Sequence, residues 1–295
     1  MGTTVRLASL NVNGLHTPKK RDRFMTKLKK DRAQIIYLQE SHLNKVEHDK
    51  LKSYGYRNLY NSSFMGGPRR GVTIMISNQM QFEYEKEIRD REGRYMIVKG
   101  KLDNVEVTLV NVYAPPDCDK HFFRLLFDVI AAETEGILIC GGDLNVVLNY
   151  NMDTTSLKKS KIQISKYVNT LLEEMGLVDI WRNLHPLEKD FTHYSAVHKV
   201  HSRIDYLFVD PGNVHRVKEC NIGGADVSDH NSLYLDIGIS NRKRITNWRL
   251  NVGLLNNEQR KDKLKLEIQY YVTEIDNGMV EPTSLGCLEG SYERD

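Results

Sequence analysis

Ile137-Leu138-Ile139-Cys140-Gly141-Gly142-Asp143-Leu144-Asn145 is the stretch that decides the fold. An apolar, β-branched run ends here in two glycines, a carboxylate and an amide, the pattern of a buried strand that delivers polar side chains at the open edge of a sheet. Four other strings repeat it at or just past the end of an apolar run: Leu10-Asn11-Val12-Asn13-Gly14, Leu38-Gln39-Glu40-Ser41, Ser202-Arg203-Ile204-Asp205 and Ser228-Asp229-His230. Distant segments can thus converge on one pocket. Their carboxylates, amides and imidazole suit metal-assisted phosphodiester hydrolysis with magnesium.

Outward from this stretch, the spacing predicts strands over Val5–Val12, Ile35–Gln39, Val72–Ile76, Tyr95–Lys101, Glu106–Tyr113, Ile137–Gly141, Ile204–Val209 and Leu233–Ile237. Helices are predicted over Arg21–Asp31, Lys120–Glu133 and Ile162–Met175; in the last, Ile164, Val168, Leu171, Leu172 and Met175 recur at helical spacing. Many period-two strands with few helices imply an α/β protein of packed sheets flanked by helices rather than a βαβ nucleotide fold. After Ser240 the strand signal stops. Leu264, Ile268, Tyr271 and Ile275 mark one apolar helical stripe, so residues 239–295 read as a linker and amphipathic helix appended to a domain over 1–238.

Asp143 and Asn145 lie two apart, and on an extended chain such neighbours project to one side. One can accept a proton from water while the other donates to a phosphate oxygen; the competing reading is a Gly-Asp turn with a side-chain cap. The two preceding glycines are expected to let the backbone approach a ligand. Glu40 and Asn11 offer oxygens to a hard cation, though a helix-start charge and a strand-end turn are their structural alternatives. His230 needs a separate carboxylate to fix its tautomer, because Asp229 next to it faces the other way on an extended segment; Asp205 is the candidate. The other nine histidines are expected in loops or on the surface; His193, His198 and His201 cluster in one loop, where a surface-loop reading is preferred to a metal-ligand one because the context is rich in oxygens and has no cysteine. Tyr113, at a strand exit before Pro115-Pro116, can reach a phosphate or cap the core.

The chain has 295 residues, 40% hydrophobic and 27% charged, which fits a soluble globular protein with a sizeable core. No apolar stretch approaches the ~20 residues of a membrane span, and the N-terminus reads as carrying no secretory signal. Four scattered cysteines argue against a zinc site and a disulfide scaffold, and for an intracellular, reduced protein. A net charge of +3 does not by itself indicate nucleic acid. The basic run Lys19–Arg32 can neutralise phosphates while Phe24, Met25 and Leu28 bury its other face.

Together these strings resemble the exonuclease–endonuclease–phosphatase superfamily, and within it the endonuclease domain of LINE-type retrotransposons. The resemblance runs from about residue 4 to 238 and includes Gln39-Glu40-Ser41-His42, Arg70-Gly71-Val72, Val112-Tyr113-Ala114-Pro115, Phe191-Thr192 and Ser202-Arg203-Ile204-Asp205-Tyr206. Asn247-Trp248-Arg249-Leu250-Asn251 is similar to the stretch that joins such endonucleases to a reverse transcriptase.

The resemblance implies a four-layered α/β sandwich, two packed mixed sheets flanked by helices. It implies Mg²⁺ (Mn²⁺ substituting) on Glu40, Asn11 and Asp229, with no small-molecule cofactor. His230 oriented by Asp205 would contact the scissile phosphate, Asp143 with Asn145 would activate or orient the attacking water, Tyr113 would support the phosphate, and Asp229 would complete the network. Thr192, Ser202 and Ser228, with His193 and His198 in a hairpin that enters the minor groove, would hold duplex DNA. The implied partner is duplex DNA, with a reverse transcriptase downstream in a parent polyprotein and action in the nucleus. Two positions depart from the pattern: Pro116 stands where many relatives have asparagine, and Asn13 stands where repair-type members have aspartate. The implied activity is nicking of one DNA strand to leave a 3′-hydroxyl. Its rivals are an abasic-site repair endonuclease, a phosphatase, and a catalytically silent DNA-binding remnant of a retroelement.

Overall fold

Strands β1 (Thr3–Asn11) and β2 (Ile35–Gln39) run parallel at the centre of one sheet. Around them pair β3 (Asn58–Ser62) and β4 (Val72–Ile76) on one side, and β13 (Val217–Ile222) and β14 (Leu233–Ile239) on the other, in the order β13-β14-β1-β2-β4-β3. The second sheet has the order β5-β6-β7-β8-β12-β9. It is built from β5 (Phe82–Arg89), β6 (Tyr95–Leu102), β7 (Val105–Tyr113), β8 (Ile137–Asp143), β9 (Val178–Asp179) and β12 (Asp205–Val209). A small ribbon, β10 (His193–Ser195) against β11 (Val200–Ser202), stands apart from both. This computed structural model describes residues 3–240 except 65, 68, 159–160 and 225–227, and beyond them only positions 262, 265, 266 and 269.

Three apolar clusters fix four layers. Val5, Leu7, Ile35, Tyr37 and Ile74 of the first sheet meet Met96, Val98, Leu109, Ile139 and Leu207 of the second in the central core. Phe24, Met25 and Leu28 of α1 (Pro18–Lys30) and Leu51 of α2 (Lys45–Leu51) cover the outer face of the first sheet. Phe123, Leu126 and Ile130 of α3 (Lys120–Glu133), with Val168 and Leu171 of α4 (Ile162–Glu174), cover the outer face of the second. The protein is the α/β sandwich expected, two mixed sheets of six strands between helices. Strands β2, β4, β8 and β12 lack strict alternation because a sheet lies on one side of them and helices on the other; every residue in each is buried.

Polar ties cross between the sheets near one edge. Asn111 of β7 donates Nδ2 to the carbonyls of Leu38 and Thr73, each at 2.9 Å, and accepts from Gln39 Nε2 at 2.7 Å. The Tyr37 hydroxyl reaches the Ile139 carbonyl at 2.9 Å. These groups are buried, and leaving one unpaired would cost about 1–3 kcal/mol.

Asn44 starts α2 with a reciprocal cap: its side chain accepts from Glu47 N–H, and Glu47 accepts from Asn44 N–H. His48 then bonds the Thr73 hydroxyl of β4 through Nε2 at 2.9 Å. Burial holds this imidazole down to about 4, against upward pulls from the Asn44 carbonyl and Glu47. The folded protein thus refuses a proton that the unfolded chain accepts near pH 6.5. Stability contributed by neutral His48 is present above 6.5 and lost as pH falls toward 4, by roughly 3 kcal/mol. Urea unfolding across this range should show the loss, and His48→Gln should flatten that part of the profile.

Arg203, 1% exposed, forms paired bonds with Asp153 (Nε–Oδ1 3.0 Å, Nη2–Oδ2 2.9 Å) and with Asp179 (Nη1–Oδ1 3.0 Å, Nη2–Oδ2 2.7 Å). Its guanidinium lies over the Trp181 and Tyr206 rings, so it anchors the entry to β12. Arg203→Ala leaves the buried Asp153 without these bonds and should lower unfolding free energy by about 3–5 kcal/mol. The check is a denaturant midpoint shift at unchanged slope.

The chain divides into two compact units, residues 1–244 and 245–295. In the second, Asp262, Lys265, Leu266 and Gln269 are helical, and the stripe Leu264, Ile268, Tyr271 and Ile275 lies outside the described residues. Among the described residues no helix is long and apolar enough to cross a membrane.

Candidate active site

The topology explains why separate strings meet. Parallel β1 and β2 end at the same edge, as do parallel β7 and β8. Strands β14 and β12 run antiparallel to β1 and β8, so their starting ends lie at that edge too. Asn11, Tyr113 and Asp143 are last residues of strands, Glu40 follows one directly, Asp205 opens β12 opposite Asp143, and His230 precedes β14.

Asn11 is the link between sheets. Its Nδ2 donates to Glu40 Oε1 at 2.8 Å and to Asp143 Oδ2 at 2.9 Å, while its Oδ1 accepts from Asn13 N–H at 3.0 Å. This differs from the metal ligand expected: the amide presents its nitrogen to both carboxylates, because its oxygen is turned to the backbone. Burial pushes Glu40 up, but hydrogen bonds from His42, Asn11 and Tyr113 outweigh it and hold the carboxyl below its usual range. The Tyr113 hydroxyl is pushed up by burial and by the Glu40 charge, so it stays a protonated donor.

Asp143 is fully buried. Burial and then the Asp205 charge push it up to about 7, against the pull of His230 and Asn11. Asn145 donates Nδ2 to Asp143 Oδ2 at 3.2 Å and to the Ala114 carbonyl at 3.0 Å. They meet, but not as extended-chain neighbours: Asn145 has φ +50°, a left-handed turn that folds its amide back. Glu40 (φ +49°) and Asn13 (φ +43°) share this backbone state. Unfavoured dihedrals of this kind gather where surroundings over-determine a side chain's direction.

His230 Nδ1 meets Asp205 Oδ2 at 2.9 Å. Burial pulls the imidazole down, but the Asp205 charge and hydrogen bond, then Asp143 and Asp229, outweigh it and raise it to about 10. One ligand atom each from Asp143, Asp205 and His230 lies within 4.8 Å of the others.

Several expectations need correction. Asp229 and His230 do not face apart: a bend at 228–229 replaces the extended segment, and both approach His193. His193 is not a plain surface residue, since its ring packs 4.6 Å from that of His230. His42 has a site setting too, with Nε2 3.2 Å from Glu40 Oε2. Thr192 is fully buried, and its hydroxyl accepts from the N–H groups of Ile204 and Asp205 at 3.1 Å, so it positions the start of β12 and offers no surface to DNA. Gly141 and Gly142 make room for protein rather than ligand: a Cβ would come within 2.3 Å of the Tyr206 carbonyl and 2.0 Å of the Val112 carbonyl.

Ser228 supports the acid beside it, its hydroxyl donating to Asp229 Oδ1 at 3.1 Å. Ser202 pairs with the Thr154 hydroxyl at 3.0 Å at the foot of the ribbon, and His198 is exposed at its tip. Pro116 is exposed two residues after Ala114. Three cations not singled out from the sequence surround the site. Lys20 donates to the carbonyls of Val12 (2.6 Å) and Asn13 (3.0 Å), Lys161 to that of Asn145 (2.9 Å), and the Arg70 charge acts on Tyr113. Lys20 lies in the basic run of α1, Lys161 closes the short run Lys158-Lys159-Ser160-Lys161, and Arg70 opens the string Arg70-Gly71-Val72, so each had a signal in the sequence.

The arrangement has a hydrogen-bonded imidazole–carboxylate pair, a buried carboxylate beside an amide donor, and an ionised glutamate at an edge ringed by cations. It can orient water, protonate or bind a phosphate oxygen, and hold a divalent ion. Known proteins carry related chains. The sequence is 25% identical over 259 residues to the Transposon TX1 uncharacterized 149 kDa protein of Xenopus laevis, covering 85% of this chain and 20% of that protein's length. It is 26% identical to the exodeoxyribonuclease of Bacillus subtilis, over 80% of this chain and all of the relative. In structure it is similar to an AP endonuclease from Archaeoglobus fulgidus, with a TM-score of 0.64 at 21% identity, covering 80% of this chain and all of that one. The Xenopus laevis APE2 catalytic domain matches at a TM-score of 0.64 and 20% identity, covering 81% of this chain and 94% of that one. At these identities the structural likeness is one of fold. Over residues 8–230, most of its length, the sequence matches the endonuclease/exonuclease/phosphatase family, and the chain belongs to that family.

Proposed function

We propose that the protein is a Mg²⁺-dependent DNA endonuclease that nicks one strand of a duplex and leaves a 3′-hydroxyl. The observation that carries this reading is the convergence of Asp143, Asp205 and His230 within 4.8 Å, with Asn11 joining Asp143 to Glu40. Likeness over 85% of the chain to a transposon protein, of which it spans 20%, supports a role in a transposon within a longer protein; a downstream reverse transcriptase as partner and action in the nucleus complete this reading.

The residues fit magnesium. Glu40 is ionised and partly exposed, and one carboxylate with waters and substrate phosphate is a common magnesium site. Glu40 would hold the ion; Mn²⁺ suits the same donors. When bound, the ion supplies positive charge to the phosphate and the departing oxygen. Asp143, ionised above about pH 7, accepts the proton of the attacking water, and Asn145 holds Asp143 in place. His230, kept charged by Asp205, donates to a phosphoryl oxygen through Nε2. Tyr113 holds Glu40, and Lys20, Arg70 and Lys161 attract the backbone phosphates.

The test is conversion of supercoiled plasmid to open circle in Mg²⁺, with EDTA and Asp143→Ala as controls. Nicking lost with both establishes the activity; no nicking by folded protein rejects it. Abasic-site repair is the second reading, and the exodeoxyribonuclease relative, matched over its whole length, supports a DNA nuclease outside a transposon. An abasic duplex cleaved far faster than intact DNA would select it.

The ribbon carries His198 and Val197 at an exposed tip, suited to sensing groove width and bendability. Replacing residues 196–199 with glycine and serine should redistribute nicks on a fixed duplex while total nicking stays within a few-fold. Sequencing-gel mapping reads this out, and an unchanged pattern removes the ribbon from target choice.

A further inference from the structure

His193, Asp229 and His230 form a cluster that the phosphate chemistry above does not use as a set. His193 Nε2 lies 3.8 Å from Asp229 Oδ2, and one ligand atom from each of the three lies within 4.8 Å of the others. Two imidazoles and one carboxylate are borderline-soft donors that suit zinc-class ions, where magnesium prefers an all-oxygen set.

Each ligand is also held from behind. Asp205 takes His230 Nδ1 at 2.9 Å and leaves Nε2 for an ion, the outer-shell arrangement that orients metal-bound histidines. Asn13 Nδ2 (3.4 Å) and the Ser228 hydroxyl (3.1 Å) donate to Asp229 Oδ1 and leave Oδ2 free of both. The backbone fixes the histidines opposite one another: residues 193 and 230 form an antiparallel bridge, tightened by Asn231 N–H to the Thr192 carbonyl at 2.6 Å. Asp229, 48% exposed in its side chain, gives access from solvent. A tetrahedral ion about 2.0–2.1 Å from its ligands sets them about 3.3 Å apart, so side-chain shifts of about 1 Å close the site. The fourth position stays open to water.

We propose that His193, Asp229 and His230 bind a zinc-class divalent cation, the His230 Nε2 proton leaving to solvent as the ion takes its place, and that this binding switches nicking off by taking the Nε2–H donor away from the phosphate. Asp229, which the resemblance gives to magnesium, is thereby assigned to the second cation, and magnesium is left on Glu40. The binding site stands on its own geometry; the inhibition rests on the function proposed above.

Binding is read first without activity, by Zn²⁺ calorimetry and by the visible absorption of Co²⁺ bound to the full chain and displaced by Zn²⁺. One Zn²⁺ should bind, with affinity falling about tenfold or more in His193→Phe, which keeps a ring against His230, and in Asp229→Asn. Unchanged affinity in both variants, or no binding to the unaltered protein, overturns the site. Plasmid nicking in Mg²⁺ is then titrated with Zn²⁺, each protein scored against its own zinc-free rate. Inhibition that tracks occupancy and shifts upward about tenfold in His193→Phe supports the switch, and bound zinc without inhibition overturns it. Zinc binding that depends on His193 in a protein that never nicks DNA would uphold the site, reject the endonuclease reading and overturn the switch.

Discussion

Asp143→Asn should lower the nicking rate by about 10²–10⁴-fold while the protein becomes harder to unfold in metal-free buffer at pH 8. The rate follows from the loss of the only group among the buried trio placed to accept a proton beside Asn145, and proton transfer by a positioned base contributes about 10²–10⁴. The opposite sign for stability comes from the same carboxylate. Folding raises Asp143 from its ordinary range to about 7, so at pH 8 the folded state carries a buried negative charge that the unfolded chain keeps in water. By linkage that penalty is absent below the unfolded value and grows as pH rises through the ordinary range toward 7. Asparagine keeps an oxygen for the Asn11 and Asn145 Nδ2 donors and removes the charge, while giving up the bond from Asn145 N–H to Oδ1 at 2.8 Å. Plasmid nicking and thermal melting on one preparation measure both, and a variant that loses rate and stability together would mark Asp143 as structural.

Asp205→Asn should reduce nicking about 10²–10⁴-fold, comparable with His230→Ala, and the double variant should be no worse than His230→Ala alone. The carboxylate accepts from His230 Nδ1, fixes the tautomer and holds the ring charged at about 10. An amide can present N–H to the same nitrogen and select the wrong tautomer. Without Asp205 the imidazole falls back toward its ordinary value near 6.5. The residual activity of Asp205→Asn should therefore decline above about pH 6.5, where the unaltered enzyme keeps its imidazolium. Additive losses in the double variant, or a pH profile unmoved by Asp205→Asn, would separate the two residues.

The central strands were legible because both sides are buried and their apolar runs are uninterrupted. Those missed are edge or short strands. In Phe82-Glu83-Tyr84-Glu85-Lys86-Glu87-Ile88-Arg89 and Asn58-Leu59-Tyr60-Asn61-Ser62 one ladder suffices, and charged or polar residues protect the free edge, so little periodicity is written. Helix α2 carried a readable signal, the capping pair Asn44 and Glu47. In the site, residues at strand ends were legible because strand direction alone puts them at one edge. The placement of His193 beside His230, and of His42 beside Glu40, was not. His193 reaches His230 through the ribbon's fold-back, and His42 turns to Glu40 through a left-handed backbone at φ +54°. Neither path has a period in the sequence.

The hydrogen bonds of Asn111, Gln39, Tyr37 and Asn11 across the two sheets have a consequence for how such a protein diverges. Apolar contacts between sheets are graded, so exchanging one methyl-bearing side chain for another moves the layers by fractions of an ångström. The cross-sheet hydrogen bonds act like dowel pins, which hold an alignment or release it with little between. Exchange among Leu, Ile and Val in the interior can then proceed with the cleft still in register, while a change at any pin releases it. Such a division of labour is compatible with a fold shared at a TM-score of 0.64 by structures only 20–21% identical.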